Sequence, residues 1–312
     1  MRKGLSRLVS LLWITTLFTG VGVVVLVIRG ASSNSSTIHL TATSSIAPTS
    51  IPSLTPSSIP LTATPIPPSP IPASPTIERP QPLVIGFSVA GLPLEVYQFG
   101  DGPIEKMIIA GIHGGYEWNT VAMADEMIAY LESHPNVIPQ DHTLYFLRVF
   151  NPDGLARSKG FGGRANENNV DLNRNFPFKW QADWPRPGCW DYIPITGGTG
   201  PASEPETQAL IRFVETHDLK AFISYHSAAL GIFPGGQPPD ERSISLAESL
   251  STVSDYPYPP IEAGCFYTGQ LVDWISIQGI AGVDVELTNH QDSDFEINLA
   301  LLSVFLDWVY PE

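Results

Sequence analysis

Cysteine is nearly absent from this 312-residue chain. Only Cys189 and Cys265 occur, and they form no Cys-x-x-Cys pair, which excludes thiolate zinc sites and dithiol redox chemistry. In an oxidising compartment the two are candidates for one disulfide, but sequence separation does not say whether they meet. Basic residues are scarce where most of the chain lies. The first 82 residues hold five Lys or Arg and a single acidic residue, Glu78, whereas the remaining 230 hold 11 Lys or Arg against 30 Asp or Glu. A body this acidic argues against nucleic acid or an anionic membrane surface as its partner. Nothing in the sequence implies an oligomer.

One long uncharged run is present, Leu8 to Ile28, with Arg2, Lys3 and Arg7 before it and Arg29 after it. Its 21 residues match the span of a bilayer-crossing helix. A cleaved signal peptide has a shorter apolar region ending at a small-residue cleavage site, and no such site follows here. The expectation is a single-pass anchor over residues 1–30, N-terminus in the cytoplasm by its positive flank, with the body outside at the cell membrane. Secretion after cleavage of the leader is the alternative. Residues 31–82 contain 12 Pro and 20 Ser or Thr. They read as a disordered stalk that has too little apolar surface to offset its ordering entropy.

From residue 83 to 312 the pattern is that of one α/β domain. Strands are expected at Leu83–Val89, Leu94–Phe99, Lys106–Ile112, Thr143–Phe150, Lys220–His226 and Gly282–Leu287. Helical periodicity runs through Glu117–Ser133, Pro205–His217, Ser243–Val253 and Asp294–Val309. The sequence Ser203–Thr207, SEPET, supplies an N-cap and acidic first-turn residues for the second helix. The segment MIIAGI is apolar on both faces, as in a strand covered on both sides. These elements imply a central mixed sheet with helices on both faces, and a site beyond the C-terminal ends of the strands.

Several segments carry chemistry. In IHGGYEWNT, His113 leaves a buried strand and Glu117 opens a helix, with two glycines folding the turn between them. Asn151–Gly154, NPDG, reads as a turn. RANENNVDLNRNFP crowds Arg164 and Arg174 with Asn169, Asn173 and Asn175 in a body poor in cations. Its guanidinium groups can clamp a carboxylate bidentately and stabilise a developing oxyanion. In ISYHSA, His226 ends a strand. Together His113, Glu117 and His226 make a His₂Glu set, which holds catalytic zinc and leaves a position for water. In VDVELTNH, Glu286 is a carboxylate within an apolar strand pattern, placed to act as general base.

The ordered set of NPDG, R…VDLNRNF, SEPET, YHS and VEL, over about residues 95–310, resembles the zinc carboxypeptidases of the carboxypeptidase A type. That group includes bacterial hydrolases of peptidoglycan peptides and of γ-D-glutamyl-diamino-acid bonds. The resemblance implies one zinc ion on His113, Glu117 and His226, with Glu286 as general base and Arg164 polarising the scissile carbonyl. Asn173 and Arg174 match the residues that receive a terminal carboxylate. Asp171 matches the carboxylate that orients the first histidine, and Val272 a residue lining the specificity pocket. The histidine-to-glutamate spacing is four residues here instead of the usual three, which puts Tyr116 at the expected place. Glu117 is the better ligand, because a phenol ligates zinc poorly at neutral pH. Where relatives often carry an active-site tyrosine this chain has Cys265, and Tyr267 lies two residues on. The implied activity is zinc-dependent peptide hydrolysis, as a carboxypeptidase or a peptidoglycan stem-peptide hydrolase. A tethered module that binds without catalysis is the rival class.

Overall fold

The computed structural model describes residues 81–184, 194–228 and 230–310. The anchor and stalk expected at 1–30 and 31–82 fall almost wholly outside these residues. Among the described residues, no helix is long and apolar enough to cross a membrane.

Seven strands form one mixed sheet: β1 Leu83–Phe87, β2 Pro93–Gly100, β3 Ile104–Ile109, β4 His142–Leu147, β5 Leu219–Ser227, β6 Ile232–Pro234 and β7 Ala281–Leu287. The order across it is β1-β2-β4-β3-β5-β7-β6. The four central strands β4, β3, β5 and β7 run parallel, with antiparallel β1, β2 and β6 at the flanks. Alternate residues of the central strands face opposite ways, so both faces need an apolar cover. Ile108, Phe146, Ile223 and Val283 pack with Met127 and Leu131 of α1 (Trp118–Ser133), Leu246 and Leu250 of α4 (Glu241–Ser251), and Leu302 and Phe305 of α6 (Phe295–Asp307). Met107, Leu147 and Phe222 face the other way. They pack with Leu210 and Phe213 of α3 (Pro205–Glu215) and with Trp274 and Ile275 of α5 (Leu271–Ile277). The expected layers, helix on each face of a mixed sheet, are those observed.

Three expectations are corrected, and two elements are added. NPDG is not merely a turn: Asn151 accepts from Gly154 N at 2.9 Å and caps a short helix, α2 (Pro152–Arg157). Ser203 does not cap α3. The N-cap is Glu204, without a side-chain cap, and Ser203 Oγ instead donates to Glu204 Oε1 at 2.7 Å. Strand β3 ends at Ile109, so His113 stands in the following turn and not in the strand. Strand β6 and helix α5, too short for periodicity to register, were not expected.

One lysine ties the sheet to a helix. Lys106, in β3 and 1% exposed, donates to the carbonyls of Phe305, Leu306 and Trp308 at 2.8, 2.7 and 2.7 Å. The end of α6 leaves carbonyls without helical partners, and the buried ammonium satisfies three of them.

Candidate metal centre and active site

The turn between β3 and α1 brings the first two site residues together. Gly114 takes φ +48°, and a Cβ on Gly115 would lie 1.8 Å from Ser158 O. The backbone of the segment after α2 packs directly on this turn, so only glycine fits at 115. Glu117 is the N-cap of α1 yet makes no capping bond. Its carboxylate turns to His113 instead, with Oε1 2.7 Å from His113 Nδ1. Parallel pairing of β5 with β7 sets the rest: His226 lies opposite Glu286, and Ser224 opposite Asp284.

His226 Nδ1 lies 3.3 Å from His113 Nδ1 and 3.3 Å from Glu117 Oε2. Ligand atoms of these three buried residues all fall within 4.8 Å of one another. Tyr116, the competitor by spacing, packs its ring against two others. Its ring lies 5.5 Å from Phe161 and 5.0 Å from His290. Each histidine turns its other nitrogen to an aspartate: His113 Nε2 is 3.2 Å from Asp171 Oδ1, and His226 Nε2 is 3.2 Å from Asp284 Oδ1. Ser224 Oγ also lies 3.0 Å from His226 Nε2.

The donor set passes a physical test for zinc. Two imidazole nitrogens 3.3 Å apart face one carboxylate, the separation expected of ligands sharing an ion at about 2.0–2.2 Å. Carboxylates behind both rings orient them. The electrostatics agree. Burial alone would raise the Glu117 pKa, but His113 and His226 outweigh it and hold the carboxyl well below the usual range. Burial would likewise lower His226, yet Asp284 and Glu117 push it well above an ordinary imidazole. The cluster is thus built to hold positive charge, which a divalent cation supplies without a proton.

Arg164, Asn173, Arg174, Tyr267, Val272 and Glu286 line the same cleft, a cavity of about 740 Å³. Glu286 Oε2 has no hydrogen-bond partner, and burial with the Glu117 charge pushes its pKa up to about 8. Arg164 is buried between Asp171 Oδ2 at 2.9 Å and Glu117 Oε1 at 3.4 Å. Burial opposes ionisation of Asp171, but Arg164, His113 and Arg174 hold its pKa well below the carboxylate range. Arg174 is 3% exposed, donates to Asn173 O at 2.6 Å, and keeps its Nε without a partner. Its guanidinium lies 4.9 Å from the Tyr267 ring. Asn173 accepts from Leu271 N at 2.9 Å, and Val272 of α5 is buried in the wall. Cys265, also in the wall, is disulfide-bonded; Cys189 lies outside the described residues. Sequence reasoning missed Asp284, Ser224 and His290. The period of two along VDVEL, which sets Asp284 on the face of Glu286, was the signal for the first.

Residues 78–264, more than half of the chain, match the zinc carboxypeptidase family. The chain belongs to the zinc carboxypeptidase family. Glu286, Tyr267 and Val272 lie beyond the matched residues. The chain is 26% identical over 271 residues to gamma-D-glutamyl-L-diamino acid endopeptidase 1 of Lysinibacillus sphaericus, covering 72% of this chain and 66% of that protein. It is 30% identical over 238 residues to human (Homo sapiens) mast cell carboxypeptidase A, covering 63% of this chain and 54% of that one. It therefore spans between about half and two thirds of these curated relatives. The crystal structure of murein-tripeptide amidase from Escherichia coli O157 superposes with a TM-score of 0.56 at 25% identity, over 78% of this chain and 98% of that one. Zinc is the metal of the family, and His113, Glu117 and His226 are the residues able to hold it.

Proposed function

We propose that this chain is a zinc-dependent peptidase that hydrolyses a peptide bond next to a carboxylate-bearing residue, most simply as a carboxypeptidase. The observation that carries the reading is the convergence of His113, Glu117 and His226 on one point, with Glu286 paired beside His226 in the adjacent strand. Held by these three side chains, zinc supplies a Lewis acid that polarises a carbonyl and acidifies water. Glu286, whose Oε2 is buried without a partner in the same cleft, takes the proton from water and returns it to the leaving amine. Arg164, anchored by Asp171, faces the oxyanion that develops. Arg174 retains a buried, unpartnered N–H, a costly arrangement that a substrate carboxylate would relieve. Asn173, Tyr267 and Val272 line the same cleft and contact the leaving residue.

A second reading is favoured by the bacterial relatives, an endopeptidase of γ-D-glutamyl-diamino-acid bonds and a murein-tripeptide amidase. In it the Arg174 clamp holds a carboxylate of a peptidoglycan stem peptide. For location we infer the anchored, extracytoplasmic arrangement expected from Leu8–Ile28. The disulfide at Cys265 supports it, since such bonds persist in oxidising compartments.

The test is a zinc-loaded protein incubated with a mixed peptide and muropeptide library, its products read by mass. Loss of one C-terminal residue supports the carboxypeptidase; internal cleavage of muropeptides supports the second reading. Glu286→Gln retains zinc and loses turnover by about 10³-fold or more, the scale of a general base. Undiminished turnover in that variant refutes the mechanism.

A further inference from the structure

His290, the last residue of the VDVELTNH segment, lines the cleft but does not belong to the metal cluster. Its Nδ1 lies 3.0 Å from Ser227 Oγ. The proton positions there are dictated by the neighbours. Asn119 Nδ2 donates to the carbonyls of Asn289 and Asp292, at 2.7 and 3.0 Å. A carbonyl only accepts, so this amide has one possible orientation. Asn119 Oδ1 then faces Ser227 Oγ at 3.0 Å and takes its single hydroxyl proton. Ser227 Oγ is left as an acceptor toward His290, so His290 Nδ1 carries a hydrogen. In the neutral ring the lone pair is therefore on Nε2. Asn119 and Ser227 are 0% and 5% exposed, so the bond between them is shielded from water and its direction is set by the fold. His290 Nε2 itself makes no hydrogen bond among the described residues.

We propose that His290 is a specificity-determining residue whose Nε2 accepts a hydrogen bond from an N–H on the acyl side of the scissile bond. The proposal rests on the peptidase reading above, in which Arg174 beside Tyr267 takes the leaving-side carboxylate. His290 belongs to a different part of the wall. It is bonded to Ser227, whose N–H lies 3.3 Å from Glu117 Oε2, and its ring stands beside Tyr116, next in sequence to that ligand. An acyl-side amide N–H is a donor that an N-acylated peptide presents and its ester analogue does not. The relay therefore selects substrates with an amide on that side.

The test uses two ligands differing in one atom group: N-acetyl-alanyl-alanine, and its counterpart in which the acetamido N–H is an ester oxygen. Their dissociation constants are measured on the zinc-loaded Glu286→Gln protein, which binds without turnover, with and without a second change at His290. With His290 present the amide binds roughly five- to thirty-fold more tightly, the worth of one hydrogen bond plus the acceptor otherwise left facing an ester oxygen. His290→Phe erases the preference, and His290→Gln, which retains an acceptor, restores part of it. Nitrogen-15 spectra of the imidazole show hydrogen on Nδ1 of His290. Equal binding of the pair, a preference that survives His290→Phe, or hydrogen on Nε2 overturns the proposal. Hydrolysis of the amide by the unmodified protein is scored separately: its absence beside an intact binding preference counts against the peptidase reading and not against His290.

Discussion

Glu206 makes the pH dependence of folding testable through a single atom. It lies in the first turn of α3 and is fully buried, with Oε1 accepting from Val89 N at 3.2 Å and Asn166 Nδ2 3.3 Å from Oε2. These bonds do not offset the lost hydration. Burial, with the charge of Asp153 adding to it, pushes the carboxyl up to about 7 from an ordinary 4.5. The folded state therefore binds a proton more tightly than the unfolded chain. The resulting stability is complete below about pH 4.5 and is lost as pH rises through about 7. Integrating the two binding curves, Glu206 contributes about 2.5 kcal/mol more at pH 5 than at pH 8. Replacing Glu206 by Gln keeps the volume and an acceptor for Val89 and removes the titration. Urea unfolding of both metal-free proteins at pH 5 and pH 8 gives four free energies, and stripping the metal keeps its own proton release out of the comparison. The wild-type difference between the two pH values, less that of Glu206→Gln, is then about 2.5 kcal/mol. Titrating groups that do not interact with Glu206 cancel in this double difference. Parallel pH profiles for the two proteins would show that Glu206 is ionised in the fold and refute the reasoning.

Two further outcomes are expected. Lys106→Met retains the buried stem but leaves three carbonyls at the end of α6 without a donor. The loss is about 3 kcal/mol, read as a lower urea midpoint at an unchanged slope. Asp284→Ala removes the carboxylate 3.2 Å from His226 Nε2, and zinc affinity falls roughly 10- to 100-fold in competition with a chromophoric chelator, with the unfolding midpoint of the metal-free protein little changed.

How much was legible in the sequence differs from residue to residue. His113, Glu117, His226 and Glu286 could be named because chemistry restricts which residue types serve a metal and its base, and because strand ends gather at one edge of a parallel sheet. The layers were legible as well: the apolar run that begins at Met107 and supplies the C-terminal half of β3 has to be covered twice. The choice between Tyr116 and Glu117 rested on ligand chemistry alone until the turn was seen. There, the backbone at Ser158 closes on Gly115 and sends Glu117 to His113 and His226. Short elements escaped because three to seven residues hold too little periodicity to register, as with β6, α2 and α5.

By itself, the sequence determined the features that residue type and local period dictate: the acidic α/β body, the two-sided sheet and the residues able to bind zinc and move a proton. Only the tertiary structure decided which of them meet. The β5–β7 register sets Glu286 beside His226 and Asp284 beside Ser224. Asn119, Ser227 and His290, from three separate segments, join into one directed chain of hydrogen bonds. Arg174 Nε is left buried without a partner among the described residues. Register, orientation and the pairing of buried polar atoms depend on contacts distant in sequence, which no local pattern encodes.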